Sequence, residues 1–293
     1  MASDTAKNSA CDTCSSKTST CNPETCGQNK KPEQIDQENK IKANLAKIKN
    51  CIAVVSGKGG VGKSTVTAGM AVSLARKGYK VGVMDADISG PNMPHLLDVE
   101  DQKMKANVFG LLPVEAVHGI KVVSIESLIT SSDSPVVWRG PMRSSVINQF
   151  LSDVVWGELD FLLVDLPPGT GDEPLSIMQT LPLNGIVIVT TSSNLSILDV
   201  SKIVNMAKML NVNILGVVEN MAYLECPDCH KKIFPFGENT VKDLCSKYGL
   251  EVIGSIPMDV ENRGTDIIFR DDSSPIVTST DNIATRVLDR IKA

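Results

Sequence analysis

The chain has 293 residues, of which 42% are hydrophobic, and its 34 acidic and 29 basic side chains leave a net charge of −5. This composition suits one large globular α/β domain or two small ones, and the negative charge gives no general attraction for nucleic acid or anionic lipid. No apolar run reaches the ~20 residues of a membrane span, and the polar first ten residues do not resemble a signal peptide. We therefore expect a cytoplasmic protein without a nucleic-acid or membrane partner.

The chain begins with two segments that differ in composition from the rest. Residues 1–30 are rich in Ser, Thr, Asn, Lys and Cys without apolar periodicity, which predicts a Cys-rich extension that could be ordered only by a bound metal. Residues 31–50 carry Ile41, Leu45 and Ile48 at helical spacing and are predicted to form a linking helix. The main domain is predicted to occupy residues 51–293.

Short apolar runs alternate with longer helical patterns through the main domain. The predicted strands are Ile52–Val55, Val81–Met84, Val122–Ile125, Phe161–Val164, Ile186–Val189, Ile214–Val218 and Val252–Ile256. The predicted helices are Gly62–Lys77, closed by Gly78, then Met142–Val155, Leu195–Leu210 and Asn282–Lys292. This alternation predicts an α/β fold with a doubly wound, mostly parallel sheet covered on both faces.

A glycine-rich segment joins the first predicted strand to the first predicted helix. It reads Gly57-Lys58-Gly59-Gly60-Val61-Gly62-Lys63-Ser64-Thr65 and fits the phosphate-loop pattern G-x-x-x-x-G-K-[ST]. Its backbone N–H groups and the helix N-terminus favour phosphate oxygens, and Lys63 is expected to reach the β- and γ-phosphates. Ser64 is expected to ligate Mg²⁺ and Thr65 to contact the α-phosphate. These features predict a nucleotide-hydrolysing enzyme.

Three aspartates follow predicted strands at the edge of the sheet where a phosphate loop lies. Asp165 closes the apolar run Phe161–Val164, as a Mg²⁺-binding Walker B aspartate does. Asp85 and Asp87 follow Val81–Met84, and one of them could orient the attacking water. The alternative for that pair is turn capping before Gly90-Pro91.

These features together resemble the Mrp/ApbC branch of the MinD/ParA ATPases. The resemblance spans roughly residues 51–293 and is carried by Lys58 after the first loop glycine, by Asp85-Ala86-Asp87 and by the run Asp165–Asp172. Glu219-Asn220-Met221 and Cys226-Pro227-Asp228-Cys229 also match. It implies an ATP-dependent carrier that, as a homodimer, assembles iron–sulfur clusters and transfers them to apoproteins, with hydrolysis that is slow without a client.

The same resemblance implies roles for individual residues. Lys58 would cross a dimer interface to stabilise charge on the partner's phosphates. Asp87 would position water, Asp85 would support Mg²⁺ indirectly and Asp165 would head the second switch segment. Asn220 would recognise the adenine ring. Pro257 would pack near the adenine, although a proline that merely ends a strand explains that position equally well.

Cys226 and Cys229 are two thiols at C-x-x-C spacing, half of a tetrahedral cysteine site. A second chain would supply the other half, so ligand counting and the resemblance both point to one [4Fe–4S] cluster bridging a dimer. A Cys₄ zinc site is the strongest rival. A redox dithiol is less consistent with the sequence, because such a pair should open a helix whereas Lys231–Pro235 favours an extended stretch.

The other cysteines fall into two classes. Cys11, Cys14, Cys21 and Cys26 provide enough thiolates for one further ferredoxin-like cluster, and the extension resembles that of the larger eukaryotic scaffold proteins of the family. Its spacing departs from theirs, so zinc binding or disorder stay open. Cys51 and Cys245 are predicted to be small core residues and not ligands.

Three other functions compete with the carrier hypothesis. A positioning or partition ATPase with structural zinc would use the apolar face of the C-terminal helix on a membrane, but six clustered cysteines have no role there. An electron donor similar to the nitrogenase iron protein would have single, widely separated cysteines. A GTPase would carry an N-K-x-D run, which the stretch from Asn220 to Tyr223 lacks.

Overall fold

The computed structural model describes residues 32–129, 140–226, 228–238, 240–258 and 274–292. The helices are α1 (Pro32–Leu45), α2 (Lys63–Arg76), α3 (Met93–Leu96), α4 (Gly140–Ser152), α5 (Asp172–Thr180), α6 (Asn194–Met209), α7 (Thr240–Tyr248) and α8 (Pro275–Lys292). The strands are β1 (Ile48–Ser56), β2 (Val81–Asp85), β3 (Lys105–Asn107), β4 (Gly110–Leu112), β5 (Val114–Glu115), β6 (Lys121–Val123), β7 (Leu159–Asp165), β8 (Gly185–Thr190), β9 (Ile214–Glu219), β10 (Leu224–Glu225), β11 (Lys232–Ile233) and β12 (Val252–Ser255). Two short 3₁₀ turns cover Val117–Gly119 and Ile125–Ser127.

Within the described residues the main sheet has eight strands in the order β12-β9-β8-β1-β7-β2-β6-β5. Every neighbouring pair is parallel except β5 and β6, which are antiparallel. The central strands are buried along most of their length because helices cover both faces of a parallel sheet. The predicted doubly wound α/β fold is confirmed.

Two hydrophobic cores lie on opposite faces of this sheet. Side chains alternate along β1, so that Cys51, Ala53 and Val55 join one core while Ile52 and Val54 join the other. The first core is completed by apolar residues of α4, α5, α6 and α7, and the second by those of α2, α3 and α8. This arrangement holds β1 and β7 in the middle of the molecule and presents their carboxyl ends at one edge.

The C-terminal helix α8 is longer than predicted, since it begins at Pro275 and not at Asn282. It packs against α2, β9 and β12, and its apolar residues Ile283, Val287 and Leu288 are buried in the second core. The apolar face that a membrane-bound ATPase would need is therefore occupied within the chain. No helix of the described part of the chain has the length and hydropathy required to cross a bilayer.

Several predicted boundaries were wrong. The linking helix ends at Leu45, and Ile48 opens β1, so the first strand starts before the predicted domain boundary at residue 51. The helix predicted to reach Val155 ends at Ser152, and Ile125 begins a 3₁₀ turn instead of ending a strand.

The prediction that Gly78 closes α2 is confirmed, because its φ of 86° is the left-handed conformation that ends helices. Tertiary contacts divide the chain into residues 1–36 and 37–293.

Candidate functional site

The phosphate loop has the strand–loop–helix context that its motif requires. β1 ends at Ser56, and α2 starts at Lys63 after the N-cap residue Gly62, whose φ is 78°. A side chain on Gly62 would be strained at this φ, and its Cβ would lie 2.1 Å from the amide nitrogen of Asn220. The loop borders an open cleft of about 260 Å³ that is also lined by Ser64, Thr65 and Asp87. Gly57 and Lys58 are not among its lining residues.

Lys63, Ser64 and Asp165 form a compact network beneath the loop. The Lys63 ammonium lies 2.7 Å from Asp165 Oδ2, and the Ser64 hydroxyl donates to the same oxygen at 2.6 Å. Both members of the ion pair are buried, with 6% and 1% of their side chains exposed. Ser64 and Asp165 thus place two oxygen donors side by side, which is the ligand type that Mg²⁺ prefers. The donor set fits the expected metal.

Asp85 lies next to Asp165 across the paired ends of β2 and β7. Its carboxylate accepts the backbone N–H groups of Asp87, Asn92 and Met93 at 3.0–3.2 Å. Burial, and secondly the negative charge of Asp165, raise the pKa of Asp85 to about 7. Asp85 therefore holds the turn after β2 in place, in agreement with the turn-capping alternative, and its indirect support of Mg²⁺ stays a prediction.

Asp87 lies beyond Asp85 in the same turn and lines the cleft. Burial raises the pKa of its carboxyl group, and nearby Lys63 partly offsets the effect. Asp87 also accepts the Gly90 N–H at 3.3 Å. Of the two aspartates in the motif, Asp87 is thus the one that borders the space where a phosphate group would lie.

Of the predicted base-binding residues Asn220 and Pro257, the structure shows Asn220 in contact with the loop. Asn220 follows β9, is 7% exposed, and donates its side-chain amide to the Val61 carbonyl at 2.9 Å. Pro257 is buried, and the residues on either side of it form backbone hydrogen bonds with the segment just after Asn220. Ala222 N donates to the Ile256 carbonyl, and Met258 N donates to the Tyr223 carbonyl. Their roles toward adenine stay predictions.

The Cys226–Cys229 pair lies in the turn of a small hairpin formed by β10 and β11. Cys226 N donates to the Lys231 carbonyl at 3.1 Å, and the His230 N–H donates to the Cys226 carbonyl at 2.9 Å. Cys226 is half-buried, Cys229 is exposed, and both thiols are free. Backbone N–H groups of Cys229 and Asp228 point at the Cys226 sulfur and lower its pKa, which favours the thiolate that binds metals.

Extended backbone at Lys232–Ile233 follows the pair, as predicted, and no helix opens there. This local structure disfavours the redox-dithiol alternative. In the part of the chain that the structure describes, no group of three or more His, Cys, Asp or Glu side chains could hold a metal ion. Among the described residues, one chain therefore brings two thiols to this hairpin.

The predicted core cysteines are confirmed, since Cys51 in β1 and Cys245 in α7 are each 3% exposed. Burial raises their pKa values to about 12 and about 11. Cys11, Cys14, Cys21 and Cys26 lie outside the described residues.

Two hydroxyl groups of the site were not predicted from the sequence. The Thr67 hydroxyl donates to Asp165 at 2.8 Å, and the Ser124 hydroxyl donates to Asp85 at 3.3 Å. The only sequence signal for the bond from Thr67 to Asp165 is that Thr67 lies one helical turn after Lys63.

This chain is similar to known proteins over most of its length. A family model described as "ParA: NUBPL iron-transfer P-loop NTPase" matches residues 47–288. An iron-sulfur cluster carrier protein of Methanocaldococcus jannaschii is 50% identical over 254 residues, covering 86% of this chain and 85% of that one. A protein of the same name from Methanococcus maripaludis is 43% identical over 291 residues, which is 96% of each chain.

Solved structures agree with the sequence comparisons. A nucleotide-binding protein of Archaeoglobus fulgidus, determined in complex with ADP, has a TM-score of 0.72 and 44% identity over 82% of this chain and 95% of its own. The MinD cell division protein of Aquifex aeolicus, at 22% identity over 82% of this chain and 97% of its own, shares the fold with a TM-score of 0.57. The chain belongs to the ParA family of P-loop NTPases, within its NUBPL iron-transfer group.

Proposed function

We propose that this protein is an ATP-hydrolysing carrier that binds iron–sulfur clusters and transfers them to apoproteins. The observation that carries the proposal is the position of the Cys226–Cys229 hairpin, whose first strand β10 begins shortly after Asn220, the residue that ties the end of β9 to the phosphate loop. The names of relatives that are 40–50% identical over most of the chain support the same function. The cluster is cargo, and the nucleotide is what controls its retention or release.

In the nucleotide site, the loop Gly57–Thr65 would hold ATP, and Ser64 and Asp165 would hold Mg²⁺. Binding requires a rearrangement, because the Lys63 ammonium that should meet the β- and γ-phosphates is paired with Asp165. Bound phosphates would attract Lys63 away from Asp165 and leave its carboxylate free to face Mg²⁺. The ion, if held by Ser64 and Asp165, would neutralise charge on the phosphates, while Asn220 and Pro257 are proposed to contact the base.

In hydrolysis, Asp87 is proposed to orient the attacking water, a role that its position in the cleft lining supports. Lys58 is half-buried and lies outside the cleft lining, a position that suits action on the nucleotide of a second chain. A charge delivered across an interface would make turnover depend on the dimer, and we propose slow hydrolysis that a client stimulates.

In the cargo site, a homodimer would bring four thiolates together, two from each chain. We propose a [4Fe–4S] cluster bridging the two Cys226–Cys229 pairs, with Zn²⁺ as the competing occupant. Cys11, Cys14, Cys21 and Cys26 are proposed to hold a second cluster in the N-terminal extension. The proposed recipients are apo iron–sulfur proteins of the cytoplasm, with no nucleic acid or membrane involved.

The proposal is tested by loading the full chain with cluster and mixing it with an apo-ferredoxin under anaerobic conditions. We expect the acceptor to gain its visible absorbance from the wild-type protein, at a rate that changes when Mg²⁺ and ATP are added. The Cys226→Ala/Cys229→Ala variant should transfer little, whereas the matched Cys245→Ala variant should transfer normally. Equal transfer by the pair variant and the wild type would refute the assignment of the carrier site.

A further inference from the structure

Thr67 has a buried hydroxyl group that the predicted nucleotide chemistry does not use. It lies on α2 one helical turn after Lys63, its side chain is fully buried, and it is not among the residues lining the cleft. Its hydroxyl lies 2.8 Å from Asp165 Oδ1 and 3.0 Å from the Lys63 carbonyl. A bond to the carbonyl one turn earlier is common for threonine in helices, but a bond to a carboxylate on another element is not required by the helix.

The single hydroxyl proton favours the carboxylate. Hydrogen bonds to ionised acceptors are shorter and stronger than bonds between neutral groups, and the carboxylate contact is the shorter of the two. Asp165 thus has its two oxygens held from different sides: Lys63 and Ser64 donate to Oδ2, and Thr67 donates to Oδ1.

Nucleotide binding would affect the three donors to Asp165 differently. Under the proposed function, on which this inference rests, Lys63 turns to the phosphates and the Ser64 hydroxyl turns its lone pair to Mg²⁺. The Lys63 bond to Oδ2 is then lost, whereas the Ser64 hydroxyl keeps its proton while its lone pair faces the metal, and Oδ2 is the carboxylate oxygen on the metal side. Thr67 is fully buried and does not line the cleft where the phosphates would lie, so nucleotide binding leaves its bond to Oδ1 in place.

We propose that Thr67 is a positioning residue for Mg²⁺, which holds Asp165 by Oδ1 so that Oδ2 points at the metal. Without this bond, the carboxylate would rotate about its side-chain torsions once Lys63 leaves. Thr67 then affects the metal far more than the nucleotide itself. Thr67→Ser keeps the positioning role, because serine carries a hydroxyl on the same carbon as threonine does. Thr67→Val keeps the shape of the side chain but loses the hydroxyl and with it the positioning role.

The test measures binding of a fluorescent ATP analogue to the full chain, in EDTA and across a Mg²⁺ titration. For Thr67→Val we expect the Mg²⁺ concentration at half-saturation to rise about tenfold, the effect of losing one hydrogen bond to a charged group. Affinity in EDTA should stay within about twofold, and Thr67→Ser should match the wild type. Thr67→Ala provides a second deletion of the hydroxyl should the valine variant fail to fold.

The matched control is Thr280→Val, because Thr280 is also buried in a helix but donates only to backbone carbonyls of its own helix. It should leave the Mg²⁺ titration unchanged. An unchanged titration for both Thr67→Val and Thr67→Ala, or an equal loss of affinity with and without Mg²⁺, would overturn the positioning role. If the wild type itself bound no nucleotide, the proposed function would fail first, and with it this inference.

Discussion

The side-chain amide of Asn220 donates to the carbonyl of Val61, at 2.9 Å, and so ties the end of β9 to the phosphate loop. Asn220 stands six positions before Cys226 in the chain. Between them, Met221 has a φ of 53° and Leu224–Glu225 form β10, the first strand of the cysteine hairpin. A movement of the loop on nucleotide binding therefore has a short covalent route to Cys226.

Asn220→Ala should uncouple the two sites. It removes the bond to Val61 while leaving both cysteines intact, so iron binding should stay normal and the effect of Mg²⁺ and ATP on the rate of cluster transfer should disappear. Nucleotide affinity should also fall, by about tenfold if Asn220 contacts the base as well. The measurement is the transfer rate with and without ATP, at saturating nucleotide. Exposed Asn282→Ala serves as the control, and a full nucleotide response in Asn220→Ala would refute the coupling.

Lys58→Ala should separate turnover from binding. Because its proposed action is on the phosphates of a second chain, kcat should fall by about 100-fold or more, as for a charge delivered in trans, and ATP affinity should stay within about threefold. Steady-state hydrolysis and equilibrium binding check this, with the exposed Lys77→Ala as control. If binding and turnover fell together, Lys58 would act on its own nucleotide.

The buried carboxyl of Asp85 predicts a pH dependence of stability. Its pKa in the folded protein, about 7, lies above the ordinary value of 3.8, so between these values the folded chain holds a proton that the unfolded chain releases. The stability of the nucleotide-free protein should therefore fall as the pH rises through 7. Relative to Asp85→Asn, the wild type should lose about 1–3 kcal/mol of unfolding free energy between pH 5 and pH 8.

Chemical denaturation of both proteins across this range measures that difference. Exposed Asp243→Asn should give a curve parallel to that of the wild type. Parallel curves for the wild type and Asp85→Asn would show that Asp85 is ionised in the folded protein throughout the range.

The phosphate loop and the sheet were predictable because their signals are local. The loop motif fixes a strand before it and a helix after it, and uninterrupted apolar runs such as Phe161–Val164 mark strands buried on both sides. Asp165 could be assigned for the same reason, since it directly follows such a run. The Cys226–Cys229 pair could likewise be identified as a candidate metal site from its C-x-x-C spacing.

The remaining features depend on contacts between distant parts of the chain. Ile48 fits a helical pattern with Ile41 and Leu45, yet it opens β1 because it pairs with Leu159 of β7. Helix α5 was not predicted: it begins at Asp172, the last residue of the run Asp165–Asp172, and its one apolar face is too short to stand out in the sequence. The bond from Thr67 to Asp165 spans 98 positions, so no local pattern reveals it.

The central claim is that the Cys226–Cys229 pair holds an iron–sulfur cluster shared by two chains. Anaerobic reconstitution with iron and sulfide, followed by metal analysis, visible absorbance and mass measurement, tests it most directly. The samples are the full-length wild type, Cys226→Ala/Cys229→Ala, and a variant with Cys11, Cys14, Cys21 and Cys26 all replaced by Ser. The last should bind about two irons per chain as a dimer, since one four-iron cluster serves two chains, and the pair variant should lose that iron. Equal iron in the pair variant and the wild type, or zinc alone at the pair, would contradict the claim.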